Sequence, residues 1–582
     1  MTKKYGSLFF LFGFLLFSWI LVVKPPFSSP DEGNHLSRAN GLLQGYFILK
    51  PVSADGSSGA AVDVSLDKMT NLFDSTLRES SKWTLEDSVN EMKALSWSDR
   101  FVLKGMPNVS FYTPTVYMPQ ALGFAIGKMM GLDLYSSYNL ANAITFSVCL
   151  IMLLLAYGIY PIPAFSLVFL LMPMSLFQLF SPTIDGLSMS FTILAMSCFM
   201  KLVTDRGSKN YIWLSLLMAL CIFSAAGSRA NLLLMSFMPL WLFFKNRKRS
   251  DLLFFALTIS MTFIWTIYSL INTHDGGVGR HPGYSNFELV SYYLKHPFTF
   301  ASIFINTITD TSTLDFYFKS MVGVLGWLDA PVSNAAFYFF SVAIISSVLM
   351  AIFSRGGKGR DTSIFIVVLA LLSLLLIFPA LLSQWSPFPT DNIIGVQGRY
   401  FIIPALILGY AFNAKPFFKD KAWVAVLILS IASTYFVHEA IVKHYYNLSY
   451  KYPKNQEGMK FSKHSNLDEN SAKVYLIEVP NGPVGKINVF IGNYNNTAKG
   501  TVKLEACNQN KCQEALVNAS NYKDNSYYEF ALPKPIDVND KLLKLTFHFY
   551  KDKSDSPVAI WELGDNENES AYVPKLIIDY IK

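Results

Sequence analysis

Apolar runs approaching or reaching bilayer-crossing length follow one another through the first 440 residues of this chain, parted by short polar loops. Beyond them the pattern changes to an alternation of apolar and polar positions. Leu8–Val23, Leu252–Ile271 and Ile364–Leu382 are the plainest runs, set against the roughly 20 apolar residues that cover a hydrocarbon core. Basic residues punctuate them in five clusters: Lys3 and Lys4; Lys201, Arg206 and Lys209; Lys245, Arg247, Lys248 and Arg249; Arg355, Lys358 and Arg360; Lys415, Lys419 and Lys421. Basic loops mark the cytoplasmic side. Working between them gives eleven crossings, near 8–24, 138–157, 163–181, 184–203, 211–227, 230–245, 252–272, 334–353, 362–383, 400–414 and 422–439, with the N-terminus inside and the C-terminus outside.

Pro114–Met130 is apolar enough to suggest a twelfth crossing, but counting it puts the basic loops on inconsistent sides, and Pro119, Gln120 and Lys128 suit hydrocarbon poorly. It reads as a helix in the outer interface; the other reading is a different pairing of 140–157 and 162–180. The resulting fold class is a polytopic α-helical membrane protein with a β-sandwich-like extracytoplasmic tail. Its expected order is a first crossing (1–24), a first outward segment with juxtamembrane helices (25–137), crossings (138–272), a second outward segment (273–333), crossings (334–440) and the β domain (441–582). In the tail, Lys473–Glu478 and Lys544–Phe549 alternate and are broken by Asn- and Pro-rich turns, which is the antiparallel signature. Its Tyr494, Asn495, Asn496, Tyr527, Tyr528 and Trp561 would suit sugar contact, but the favoured reading is that they are the core and turns of an ordinary β domain.

Composition adds little beyond this. With 52% hydrophobic and 15% charged residues the chain is too apolar for a soluble enzyme, and its net charge of +7 resides largely in the short loops, so it reports topology rather than a nucleic-acid partner. Lys24-Pro25-Pro26 is a poor cleavage site, so the first run reads as a retained anchor. Cys149, Cys198 and Cys221 lie in apolar runs and read as packing residues; Cys507 and Cys512 are placed to close a small loop if the tail is extracytoplasmic.

Candidate chemistry gathers at the ends of the runs. Pro25–Arg38 carries Asp31, Glu32, His35 and Arg38 directly after the first crossing. Asp185 (SPTIDG), Arg229 (GSRAN), Trp327 and Asp329 (GVLGWLD), and Gln397, Arg399 and Tyr400 (GVQGRYF) fall on the same outward side and suggest a shared cleft. Each has a plainer role open to it: Asp31 and Asp185 as helix caps, Arg229 and Arg399 as interfacial anchors. His274, His281 and His296 show no ligand spacing. A carboxylate with outward arginines fits transfer from a phosphate-linked lipid donor: the carboxylate takes an acceptor's proton and arginine holds the departing phosphate. The paired carboxylates offer a second option, a divalent cation bridging that phosphate.

The ordered set PDEGNHLSRANGLLQG, YTPTVYMPQALG, SPTIDGLS, GVLGWLD and GVQGRYFIIP resembles a large family of bacterial predicted membrane proteins grouped with the GT-C glycosyltransferases, over about residues 8–440. The resemblance implies a polyprenyl-phosphate sugar donor, an envelope-glycan acceptor and a site on the outer face of the cytoplasmic membrane. It implies Asp31 as catalytic base with Glu32 as neighbour or substitute, and Arg399 and Arg229 as donor-phosphate contacts. His35, Arg38, Asp185, Trp327, Asp329, Gln397 and Tyr400 then line the cleft. The layout, though not the motifs, is also similar to serotype-converting O-antigen glucosyltransferases. A lipid-glycan flippase or transporter, a polysaccharide polymerase or ligase, and a non-catalytic envelope protein are the competing classes; the absence of an internal repeat and of charges deep in the runs weighs against the transporter.

Overall fold

The computed structural model describes residues 3–52, 56–79, 81–273, 286–353, 360–412, 422–453, 459, 461–467, 469, 472–509, 511–552, 556–564 and 572–581. His274, His281, Arg355, Lys358, Lys415, Lys419 and Lys421 lie outside them. The chain divides into two compact units, one of Met1–Leu77 with Ser88–His444 and one of Arg78–Asp87 with Tyr445–Lys582.

The first unit is helical. Among the described residues, seven helices are long and apolar enough to cross a membrane: Leu134–Ile159, Ile184–Thr204, Tyr211–Ser228, Arg249–Ser269, Asn334–Ile352, Arg360–Gln384 and Trp423–Tyr445. Leu8–Val23, Pro297–Thr309 and Gly398–Phe412 are shorter apolar helices. Among the described residues, four of the eleven expected crossings are not single α-helices: 362–383 divides at Leu376, 400–414 is α-helical only over Ile402–Gly409 between two 3₁₀ turns, and two more break at prolines. The stretch 163–181 is a pair of seven-residue helices, Ala164–Leu170 and Pro173–Leu179. The stretch 230–245 is a 3₁₀ turn, Ala230–Phe237, followed by Met238–Asn246. Proline explains both breaks. Pro173 and Pro239 have no N–H to give to the preceding turn and disfavour helical geometry in the residue before them, so each opens a new helix instead of continuing the old one.

A broken helix strands carbonyls, and side chains from distant helices satisfy them. Ser433 Oγ donates to the Leu171 carbonyl, and Asn142 Nδ2 donates to the Phe180 carbonyl at 3.2 Å. At another short helix Ser166 Oγ donates to the Leu406 carbonyl at 2.8 Å. Polar residues inside the apolar bundle are therefore backbone partners.

The segment after the first helix is folded. It carries the helix Glu32–Leu43 and a three-stranded antiparallel sheet of Lys50–Pro51, Ser58–Asp63 and Phe101–Gly105. Asn40 on the helix accepts from the Asp63 N–H at 2.9 Å, tying helix to sheet. The strand Phe101–Gly105 then delivers residues 106–117 to the neighbourhood of that helix. Pro114–Met130 becomes a 3₁₀ turn and the twelve-residue helix Met118–Met129, shorter than a crossing requires.

The second unit is strand-rich, as the alternation required. A four-stranded antiparallel sheet (Cys512–Asn518, Gly500–Cys507, Leu542–Lys551, Lys473–Glu478) and a seven-stranded one centred on Gly482–Gly492 and Val558–Gly564 enclose one core, in which Ile487, Val489, Leu504, Phe530, Leu545, Phe547, Ile560 and Ile578 are buried. A disulfide joins Cys507 to Cys512 across a hairpin. Residues 78–87 belong to this unit: the Trp83 ring packs 4.6 Å from Tyr580, and the Lys82 N–H bonds the Asn447 carbonyl. Phe547, fully buried against Tyr475 and Phe530, carries much of that core. Phe547→Ala is expected to destabilise the unit by about 3–5 kcal/mol, seen as a lowered midpoint for the strand-rich transition in thermal unfolding.

Candidate functional site

The turn Lys24–Asp31 between the first helix and the helix Glu32–Leu43 is organised by one carboxylate. Glu32, fully buried, accepts from Lys24 Nζ (3.0 Å), Phe27 N (3.1 Å), Ser29 N (2.9 Å) and Tyr138 Oη (2.5 Å). Lys24 is itself buried and lies over the Phe177 ring. With four donors on its two oxygens, Glu32 is spent on structure.

Asp31 differs. It stands at the N-cap position with φ 57°, a left-handed backbone, and its side chain makes no cap hydrogen bond. Capping needs an extended backbone at that residue, so the side chain points elsewhere. Oδ1 accepts from Asn108 Nδ2 at 2.8 Å, and Asn108 is held in turn by Asn34 at 2.9 Å. Among the described residues Asp31 makes no ion pair. Non-glycine residues held left-handed cost about 1–2 kcal/mol and concentrate at functional sites.

The other motifs meet this turn. Ser29 and Ser181 share a 2.5 Å hydroxyl contact, joining the first loop to SPTIDG. Trp327 Nε1 donates to the Phe27 carbonyl at 3.3 Å. Thr113 N–H bonds the Gly227 carbonyl at 3.0 Å, bringing residues 106–117 to GSRAN. Asp185 is not a cap, because Thr183 holds that position; its carboxylate instead pairs with both Arg229 and Arg399, the latter at 3.6 Å. Both guanidinium groups also sit over the Tyr400 ring, at 5.3 and 5.2 Å. They are components of a charge cluster, not the lone interfacial anchors that each arginine by itself would suggest. Arg399 reaches its place because Gly398 is a glycine: a Cβ there would lie 1.9 Å from the Tyr317 carbonyl oxygen, and the Gly398 N–H is held by Ser320 Oγ at 2.8 Å. Among the described residues, Nε of Arg229, Nε of Arg399 and Oε1 of Gln397 are buried without a hydrogen-bond partner.

His35 and Tyr112 link the two halves. Their rings lie 6.2 Å apart, and His35 Nδ1 meets Tyr117 Oη at 3.0 Å. The charges of Asp31, Arg229 and Arg399 all act on both, which puts the carboxylate and the two cations around the same rings. Burial pushes His35 down to about 4, against the opposing pull of Asp31, so the imidazole is neutral at physiological pH. Burial likewise lifts Tyr112 to about 12, leaving a protonated hydroxyl.

Two expected cleft residues, Arg38 and Asp329, are tied to nearby backbone, and Arg38 also lies over the Tyr117 ring at 5.7 Å. Arg38 is wholly buried and donates to the Tyr46 and Phe47 carbonyls at 2.5 and 2.7 Å, clamping the chain after its helix. Asp329 accepts from the Trp327 N–H at 3.0 Å and pairs with His444 at 3.3 Å, closing its own turn. Asn108, Tyr112 and Tyr117 were missed as site residues. The two tyrosines stand in YTPTVY, five residues apart, but nothing in that spacing says which ring faces a charge.

The family described as "Predicted membrane protein (DUF2142)" matches residues 13–408, more than half of the chain. The chain belongs to that family. The match covers every residue of the cluster and stops short of the strand-rich tail. No curated protein matches. Among solved structures, apo ArnT from Cupriavidus metallidurans is similar at 12% identity over 72% of this chain and 79% of its own, with a TM-score of 0.28. Arabinosyltransferase EmbB from Mycobacterium smegmatis is similar at 11% identity over 99% of this chain and 65% of its own, with a TM-score of 0.35. Scores this low carry no argument about activity, and what this family member does must come from its own residues.

Glu32→Ala would leave Lys24 as an uncompensated buried charge. Such losses cost about 3–5 kcal/mol, and a large drop in melting temperature in detergent is expected, whereas isosteric Asp31→Asn should melt with the wild type. A second expectation concerns pH. His35, held at about 4 when folded against an ordinary 6.5, binds its proton more readily in the unfolded chain. Its contribution to stability is constant above pH 6.5 and is lost as pH falls from there toward 4. In matched melts over that window, His35→Gln should show a shallower decline.

Proposed function

We propose that this protein is a membrane glycosyltransferase of the GT-C type, moving a sugar from a polyprenyl-phosphate donor to a hydroxyl of a cell-envelope glycan on the outer face of the bacterial cytoplasmic membrane. The observation that carries the reading is the pairing of opposites around His35 and Tyr112. The charge of Asp31, which makes no ion pair among the described residues, and those of Arg229 and Arg399, two guanidinium groups sharing the carboxylate of Asp185, all act on these two rings.

In the transfer, the acceptor oxygen attacks the anomeric carbon as its proton passes to Asp31. The carbon–oxygen bond to phosphate breaks on the opposite face, which inverts the anomeric centre. The electron pair leaves on the phosphate, where Arg229 and Arg399 neutralise the charge that develops. Phosphate is a good enough leaving group that no general acid is required. The unpartnered Nε groups of the two arginines suit this role, since buried donors without partners cost free energy until a ligand satisfies them. Neutral His35 and protonated Tyr112 supply polar walls that add no competing charge. The donor class, the envelope acceptor and the outward placement draw on the likeness of the ordered motifs to the GT-C grouping and on the charge pattern of the loops.

The test is transfer in membranes together with the composition of the envelope glycan in cells with and without the protein. Asp31→Asn should lower turnover about 10²–10⁴-fold, the usual worth of a positioned base, while donor binding persists. Arg399→Ala should raise the donor KM more than it changes the acceptor dependence. Unimpaired transfer by Asp31→Asn removes the base assignment. A glycan that changes location but not sugar composition when the protein is lost favours a flippase.

A further inference from the structure

The seven-stranded sheet of the strand-rich unit has one face on the shared core and one turned away. Most of the outer face is polar: Lys486 pairs with Glu529, and Asn488 bonds Asp579. One end departs from that pattern. His464 and Trp561 are directly opposed across two strands, and Phe490 and Tyr527 are opposed across the next two. Ring centroids lie 5.8 Å apart for His464–Trp561, 6.3 Å for Trp561–Phe490 and 5.0 Å for Phe490–Tyr527, an unbroken aromatic row across four strands. Lys575 lies over Phe490 at 4.3 Å.

The rings are held by dedicated contacts. Trp561 Nε1 donates to Asn525 Oδ1 at 2.8 Å, and Tyr494, 6.3 Å from His464, donates to Asn466 Oδ1 at 2.6 Å. The carboxylate of Asp524 gathers the N–H groups of Asn493, Asn495 and Asn525. Around it Tyr494, Asn495, Asn496 and Asn525 are all left-handed, a costly backbone for residues with side chains. Both amide oxygens point into the row, so the Nδ2 groups of Asn466 and Asn525, which make no hydrogen bond among the described residues, remain for an outside acceptor.

We propose that this aromatic row binds a hexopyranose unit of a polysaccharide. A pyranose ring offers a face of C–H bonds with slight positive charge and a rim of hydroxyls. An aromatic face, negative at its centre, takes the first; the amides of Asn466 and Asn525 take the second. The chemistry favours a sugar over a protein partner: none of the row's ring residues is aliphatic, and the amides of Asn466 and Asn525 stand beside the end of the row that holds Trp561 and the exposed His464. The site lies in the part of the chain outside the family match and stands independently of the group-transfer reading.

The experiment is calorimetric titration of the full-length protein in nanodiscs with cellohexaose, maltohexaose and chitohexaose. Binding of at least one is expected, weakened about tenfold by Trp561→Ala, the equivalent of one good ring contact. Because Trp561 also packs on Phe490, the exposed His464→Ala provides a second variant, expected to weaken binding several-fold while the strand-rich unit melts normally. Asp31→Asn should bind as the wild type does, which separates this site from the catalytic one. Failure of all three glycans to bind, or affinity unchanged in both Trp561→Ala and His464→Ala, overturns the proposal.

Discussion

The turn at the candidate site hangs on a fully buried carboxylate. Glu32 takes hydrogen bonds from a lysine, a tyrosine and two backbone amides, and in doing so fixes the path of the chain between the first helix and the second. A charge buried this deeply is tolerable only when its partners are complete, so the turn has one geometry. That geometry leaves Asp31 left-handed and turned off the helix axis. Two neighbouring residues with the same functional group thus take opposite roles, one saturated and one held by a single amide.

A parallel economy governs the cations. Two arginines brought together by Tyr400 would repel, and Asp185 offsets that repulsion. The three groups together carry a net charge of one positive unit. Burial then does for His35 what a partner does elsewhere: it keeps the ring uncharged between cations and carboxylate.

Much of this was legible in the chain and some was not. The helical runs and the strand-rich tail were plain because burial in lipid or in a sheet imposes a long-range repeat. The breaks at Pro173 and Pro239 were visible as prolines, yet a hydropathy window averages across them, as it does across the interruptions at Leu376 and around Ile402–Gly409. Asp31, Asp185, Arg229 and Arg399 stood out because charge beside an apolar run is costly. Their pairing was hidden, since ion pairs between residues 185, 229 and 399 are products of folding. The backbone contacts of Arg38 and Asp329 were hidden as well, because a charge that bonds nearby backbone and one that does not have the same sequence. Asn108 gave no signal: an amide that orients a carboxylate 77 residues away resembles any loop asparagine.

The segmented helix at Leu171–Pro173 reaches beyond its own neighbourhood. Its stranded carbonyl is completed by Ser433, some 262 residues downstream, and the carbonyl of Phe180, where the second segment ends, by Asn142. Neither polar side chain can drift to an aliphatic one while the break persists, and restoring a continuous helix would leave Ser433 and Asn142 with hydroxyl and amide in an apolar wall and nothing to bond. Positions far apart in the gene are thereby tied as pairs. An attempt to stabilise the bundle by making it uniformly greasy would have to change both members of a pair at once.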